Sequence, residues 1–184
     1  MLNSFIHKAL RPFLWMVGGA VIAIACNYVT ISAEDKFKYY GRNARNEDPD
    51  VRMKAYRMLH SAAASGHVHA QAEWGWVLDQ GLYNGINDYH SAYTWWLRAA
   101  LAGDPSAQIY LIRYYEIGAA DPIDLVSAHA WKIILNNNQK NPSKGHEIST
   151  KFPSMLTKEQ LAEAEARAAK IELSISRQKP EYLN

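Results

Sequence analysis

Cysteine is nearly absent from this chain of 184 residues. Its one thiol, Cys26, can close no intrachain disulfide and cannot build a zinc site of cysteines. An excess of one charge is missing too. The chain carries 20 Lys+Arg against 18 Asp+Glu, and setting aside Lys8 and Arg11 leaves 18 basic residues, a balance of zero. No basic stripe stands out, which argues against nucleic acid as a partner. Period-two alternation of apolar and polar residues appears nowhere at length, so strands are not expected. The marks of catalysis are also missing. No glycine-rich phosphate loop occurs, no carboxylate pair is recognisable for acid–base work, and Ser61, Ser65 and Ser91 lack a nucleophile-elbow setting. His67 and His69 flank Val68, but no further ligands stand at useful spacing. The chain is therefore read as a non-enzyme with no cofactor and no metal.

What the sequence does have is one long apolar run and an abundance of alanine and aromatics, with 11 Tyr and 6 Trp. Phe13 to Ile31 contains no charged residue. As a helix it would span about 28 Å, close to a bilayer's hydrocarbon core. His7, Lys8 and Arg11 precede the run, and Glu34 and Asp35 follow it. The cationic flank predicts a cytoplasmic start with the rest of the chain outside, in the periplasm of a bacterium. Three fates are open to the segment: a retained single-pass anchor in the cell membrane, a signal peptide cleaved after Ile31-Ser32-Ala33, or a lipoprotein signal. For the last, Ala23-Ile24-Ala25-Cys26 resembles a lipobox and Cys26 would carry the lipid.

Residues 1–33 are thus an anchor or signal segment. Residues 34–47 are polar, with no clear apolar period, and are expected to be a juxtamembrane linker. Residues 48–176 form a helical domain with a terminal cap, and 177–184 a tail. Within the domain, Asp48-Pro49 and Asp104-Pro105 have the form of a capping Asp with proline at the first helical position, as has Asp121-Pro122. A shift of 37 residues superposes Tyr56 on Tyr93, Ala62-Ala63 on Ala99-Ala100, Gly66 on Gly103, Ala70 on Ala107 and Gly81 on Gly118. A shift of 36 aligns Ala92 with Ala128 and Trp95 with Trp131. Each period holds two helices. Helix A covers about 69–80 and 105–117; helix B covers about 50–64, 88–102 and 122–135. A polar crossover follows from Asn136 to Leu156. Thr157 and Gln160 then form a capping box, opening a helix whose apolar face is Leu156, Leu161, Ala164, Ala168, Ile171 and Ile175. Gly75 inside helix A costs about 1 kcal/mol relative to alanine, which implies close approach of a neighbouring helix. Trp74, Trp95 and Trp131 are expected to fill the space between layers.

The repeated positions resemble the Sel1-like repeat, a relative of the tetratricopeptide repeat. Ala70, Trp74, Gly75, Leu78, Gly81, Gly85, Ile86, Asp88, Ala92, Trp95, Trp96, Ala99, Ala100 and Gly103 make one nearly complete copy. Partial copies lie on either side, so that 51–135 holds about two and a half. Ile112 departs from the pattern where its second glycine would stand, and Ile134-Leu135 replace an Ala-Ala pair. The resemblance implies an all-α fold: a short α-α solenoid with a C-terminal capping helix, preceded by a transmembrane helix. It also implies that helices A line a concave surface. The consensus packing positions would then leave Glu73, Trp76 and Val77, with Tyr110, Arg113 and Tyr114 at equivalent places, as a partner-binding patch. The competing role for Trp76 is packing on the C-terminal helix.

The implied function is a membrane-tethered adaptor that grips another protein or peptide. The alternatives are an immunity protein neutralising a secreted toxin such as a lipase effector, a structural subunit of an envelope complex with Gly18, Gly19, Ala20, Ala23 and Ala25 as a helix-packing face, or a glycan-binding module.

Overall fold

In the computed structural model the described residues are 31–119, 122–138 and 155–178, with the backbone of 16–17 and 20–21. The chain divides into two units, Met1–Thr30 and Ile31–Asn184. In the first, β1 (Met16–Val17) pairs antiparallel with β2 (Ala20–Val21), Met16 opposite Val21 and Val17 opposite Ala20. These four residues lie inside the run expected to be a membrane helix and are paired as strand; the rest of that run lies outside the described residues. No helix among the described residues is long and apolar enough to cross a membrane.

All the regular elements among the described residues of the second unit are helices. Its elements are α1 (Ala33–Asn43), α2 (Pro49–Ala64), α3 (Val68–Asp79), α4 (Tyr89–Leu101), α5 (Pro105–Ile117), α6 (Leu125–Asn138) and α7 (Lys158–Gln178). Packing runs chiefly between helices consecutive in the chain, the pattern of a solenoid. Two expectations are corrected. The linker expected over 34–47 is helix α1, capped by Ser32, whose side chain accepts from the Asp35 N–H, and packed on α2. Its apolar positions Ala33, Phe37, Tyr40 and Ala44 recur at helical spacing and stand 37 residues before Ala70, Trp74, Val77 and Gly81. The five charged residues among them hide the period. With α1 the count becomes three A–B pairs: α1–α2, α3–α4 and α5–α6. The helix expected from Pro122 starts instead at Leu125, because Asp124 is the residue that caps it, accepting from the Ser127 N–H at 2.9 Å.

The repeat extends to details that the residue pattern did not show. Gln71 Nε2 donates to the Ala63 carbonyl at 3.2 Å, and 37 residues on, Gln108 Nε2 donates to the Ala100 carbonyl at 3.3 Å. Gly66 and Gly103, which end α2 and α4, both have φ of +91°, a conformation glycine adopts without steric cost. The caps of α3 and α5 are also equivalent. His67 Nδ1 accepts from the Ala70 N–H at 3.1 Å, and Asp104 Oδ1 accepts from the Ala107 N–H at 2.9 Å. Each cap is tied back to the preceding A helix: His67 Nε2 lies 2.8 Å from Glu34 Oε2, and Asp104 Oδ2 lies 2.6 Å from His69 Nδ1.

The core is built from small residues that let backbones close in. Ala55, Ala62, Ala63, Ala92, Ala99 and Ala100 are all fully buried. Gly75 shows why its position needs no side chain: a Cβ there would stand 2.5 Å from Trp96 Nε1. That indole lies flat in the gap and donates to the Ala72 carbonyl at 3.2 Å. Trp74 and Trp131 are buried as expected, but Trp96 and not Trp95 fills the space between α3 and α5. Trp95 is half-buried, under the Arg98 guanidinium at 4.9 Å from the ring centre.

The C-terminal helix follows the reading closely. Gln160 Oε1 accepts from the Thr157 N–H at 2.9 Å, and Thr157 Oγ1 accepts from the Gln160 N–H at 3.3 Å, which completes the capping box. Ala164, Ala168 and Ile175 are buried and Leu156, Leu161 and Ile171 half-buried. Arg167 reaches across to α6, donating to Asp124 Oδ2 at 3.0 Å and Ser127 Oγ at 2.6 Å.

Candidate functional site

Two clefts lie side by side along the A helices. The larger, of about 870 Å³, is lined by Tyr40, Arg42 and Arg45 of α1 and the turn after it, by Glu73 and Trp76 of α3, and by Tyr110 of α5, among others. The smaller, of about 60 Å³, is lined by Trp76, Asp79, Trp96, Tyr110, Arg113 and Tyr114, among others. Trp76 and Tyr110 line both, so this pair forms the ridge between them. Tyr110 is held in place by stacking on Trp96, with ring centroids 5.1 Å apart.

Of the six residues expected to bind a partner, four are at the accessible surface of these clefts: Glu73, Trp76 and Tyr110, half-buried, and Arg113, exposed. Two are corrected. Val77 is fully buried and lines neither cleft as described. Tyr114 is 3% exposed and belongs to the core, its ring 4.9 Å from that of Tyr93, although it reaches the wall of the smaller cleft. Both stand at the register position of Tyr40, which is buried as well. The position after Trp76 and Arg113 points inward in every repeat. Trp76 packs against the apolar cluster of the first repeats, while α7 packs on α6 and touches α4.

Arg42, Arg45 and Tyr40 carry no signal of a site in the sequence, because their segment has the polar composition of a linker. Arg42 and Arg45 are exposed. Among the described residues neither has an ion pair or a side-chain hydrogen bond, and the same holds for Arg113.

The acid on the cleft floor is held at a cost. Burial pushes the Glu73 carboxyl above its ordinary value; nearby His69 and a hydrogen bond from Tyr40 pull the other way without cancelling it. That hydrogen bond is long, 3.4 Å from Tyr40 Oη to Glu73 Oε2. Tyr110 is pushed up to about 12, by burial first and by the charge of Glu73 second. Tyr40 is raised by the same two causes. An under-partnered carboxylate in an aromatic cleft has acceptor capacity to spare. Among the described residues no three His, Cys, Asp or Glu side chains gather as a metal set would require.

Stacked helix pairs with an aromatic cleft along one helix of each pair define an α-α solenoid. The structure of c5321, a protective antigen present in uropathogenic Escherichia coli strains and displaying an SLR fold, is similar at 26% identity with a TM-score of 0.66. The similarity covers 83% of this chain and 34% of that one, so the chain spans about a third of that protein's length. A Sel1 repeat protein from Oxalobacter formigenes is similar at 28% identity over 75% of this chain and 88% of that one, with a TM-score of 0.47. No family model matches the chain, and no curated protein does. The helical unit has the fold of Sel1-like repeat proteins: the repeated residues, the three helix pairs and the likeness to c5321 agree on it.

Proposed function

We propose that this chain is a non-enzymatic interaction module that grips another protein through the concave side of its A helices. The observation that carries this reading is the Trp76–Tyr110 ridge, a pair of half-buried aromatics between two clefts, flanked by exposed arginines that make no salt bridge or side-chain hydrogen bond among the described residues. Trp, Tyr and Arg are the side chains enriched where a few residues supply most of the binding energy. The apolar run Phe13–Ile31 with its cationic flank supports a tether in the cell membrane, with the repeats on the outer side.

The test is crosslinking in native membranes followed by identification of what is captured, with the full chain and with Trp76→Ala and Arg113→Ala variants. Each substitution is expected to lower capture of the same partner about tenfold, a loss of about 1.4 kcal/mol, with the helical circular dichroism unchanged. Equal capture by both variants would remove the ridge from the reading. Extraction of membranes with alkaline carbonate tests the tether separately, since an integral anchor stays with the lipid and a peripheral protein is released.

A further inference from the structure

The two clefts have a charge arrangement that narrows the kind of partner, on the reading that this face binds one. Arg42 and Arg45 stand in the wall of the larger cleft, and Arg113 stands in the smaller cleft beyond the Trp76–Tyr110 ridge. The ridge therefore has guanidinium groups on both sides. All three arginines are exposed and, among the described residues, without an ion pair or side-chain hydrogen bond. Several other surface cations of this domain are occupied: Lys38 pairs with Glu34, Lys36 donates to Ser61, Arg52 donates to the Asn46 carbonyl, Arg98 lies on Trp95 and Arg167 bridges to Asp124 and Glu163. Arg57, Lys158, Lys170 and Arg177 are exposed as well but line neither cleft. Two carboxylates share the clefts. Asp79 already accepts from Gln80 Nε2 at 2.6 Å. Glu73 is driven toward its neutral form by burial and faces the ridge from the floor. The clefts together hold three arginines against the carboxyls of Asp79 and Glu73, so basic side chains are in excess and lie on either side of an apolar centre.

We propose that this face binds an extended acidic peptide segment whose carboxylates pair with Arg42/Arg45 and Arg113 on either side of an apolar residue seated on Trp76 and Tyr110. Guanidinium groups suit carboxylates because their planar fork can donate two parallel hydrogen bonds. The indole and phenol supply area at low entropic cost. Glu73 keeps acceptor capacity for a peptide N–H of the bound segment.

The experiment uses the purified full chain in detergent and fluorescein-labelled dodecapeptide probes read by polarisation. The parent probe has a central Leu-Phe pair with two Asp on each side. Its controls carry Asn in place of each Asp, Lys in place of each Asp, or Gly-Gly in place of Leu-Phe. The parent probe is expected to bind at least tenfold more tightly than any control, and its affinity to fall as salt is raised. An R42E/R45E variant, with both positions exposed, is expected to weaken the parent probe at least tenfold and to keep the helical circular dichroism, with at most a small fall in the thermal midpoint from an acid in the last turn of α1. R42K/R45K should recover part of the affinity. Equal binding of the Asp and Asn probes, no binding of the parent probe, or no effect of charge reversal would overturn the proposal. So would binding of phosphatidylglycerol vesicles that depends on Arg42 and Arg45 with no binding of the peptide, since the arginines would then serve a lipid surface. Failure here is separable from failure of the broader reading. A partner whose capture needs Trp76 but survives R42E/R45E keeps the interaction module and discards the acidic segment.

Discussion

At the scale of single residues, Gly75 and Glu73 show opposite ways of spending stability. Gly75 weakens its own helix by about 1 kcal/mol relative to alanine, and the return is the Trp96 indole lying against it. Alanine would recover the helix propensity but place a methyl 2.5 Å from a buried ring that is hydrogen-bonded to the Ala72 carbonyl. Overpacking of that kind costs about 1–3 kcal/mol, so Gly75→Ala is expected to lower the thermal midpoint and to alter the near-ultraviolet circular dichroism of the tryptophans. The reason for this glycine was legible in the sequence as a demand for close approach; the ring that makes the approach was not, because Trp95 and Trp96 are adjacent and only the packed helix decides which faces inward. Glu73 has no such structural return. Its carboxyl titrates above its ordinary value of 4.5, so the folded chain binds more protons than the unfolded one. Stability is then highest below the ordinary value and falls as pH rises through the raised one. Glu73→Gln keeps an acceptor for Tyr40 and removes the charge. It is expected to raise the thermal midpoint at pH 7 and to flatten the pH dependence above 4.5, as scanning calorimetry at several pH values would show. A residue that costs stability at working pH and sits in a cleft is the kind retained for binding.

At the scale of elements, α1 and α7 are the first and last helices of the unit, and they are legible in the sequence to different degrees. The last helix announces itself by a capping box, strong helix formers and a broad apolar face. The first has the same period, Ala33, Phe37, Tyr40 and Ala44, but diluted by Glu34, Asp35, Lys36, Lys38 and Arg42 and interrupted by Gly41. A pattern of four apolar residues in twelve is decisive only once α2 is there to receive it. With α1 went the arginine wall of the larger cleft, so the expected patch comprised one side of the ridge and the ridge itself. It also included Val77 and Tyr114, because the repeat consensus marks which positions must pack and says nothing of others that pack as well. For α7 the attachment is partly electrostatic. The Asp124 carboxyl sits below its ordinary value of 3.8: burial pushes it up, but hydrogen bonds from the Ser127 N–H and hydroxyl and from Arg167 outweigh that. A depressed carboxylate contributes stability above its ordinary value and loses it as pH falls through the depressed one. Arg167→Met is expected to destabilise by about 1 kcal/mol or less, since the guanidinium is partly in water. The difference from the parent should be constant from pH 7 to about 4 and shrink below that, as thermal melts across the range would show.

At the scale of the whole helical unit, packing is between successive helices, and the same bonds return every 37 residues. Gln71 to Ala63 becomes Gln108 to Ala100, Gly66 becomes Gly103, and the cap of α3 becomes the cap of α5. The architecture was legible because such a chain repeats one local solution, and a sequence shift detects repetition without any knowledge of distant contacts. Solenoids of this kind have stability that is roughly a sum of units and interfaces. The recurrence of Gln71 and Gln108 has a further consequence. The joints before Ala70 and before Ala107 share the glutamine-to-carbonyl bond and the glycine while differing in the capping residue, so the domain is built like a train whose couplings follow one pattern. A duplicated carriage of 37 residues, cut at Gly66 and Gly103, would couple at both ends, carry one more Trp76-like station into the aromatic row, and make the gripping surface longer while its two termini stayed as they are.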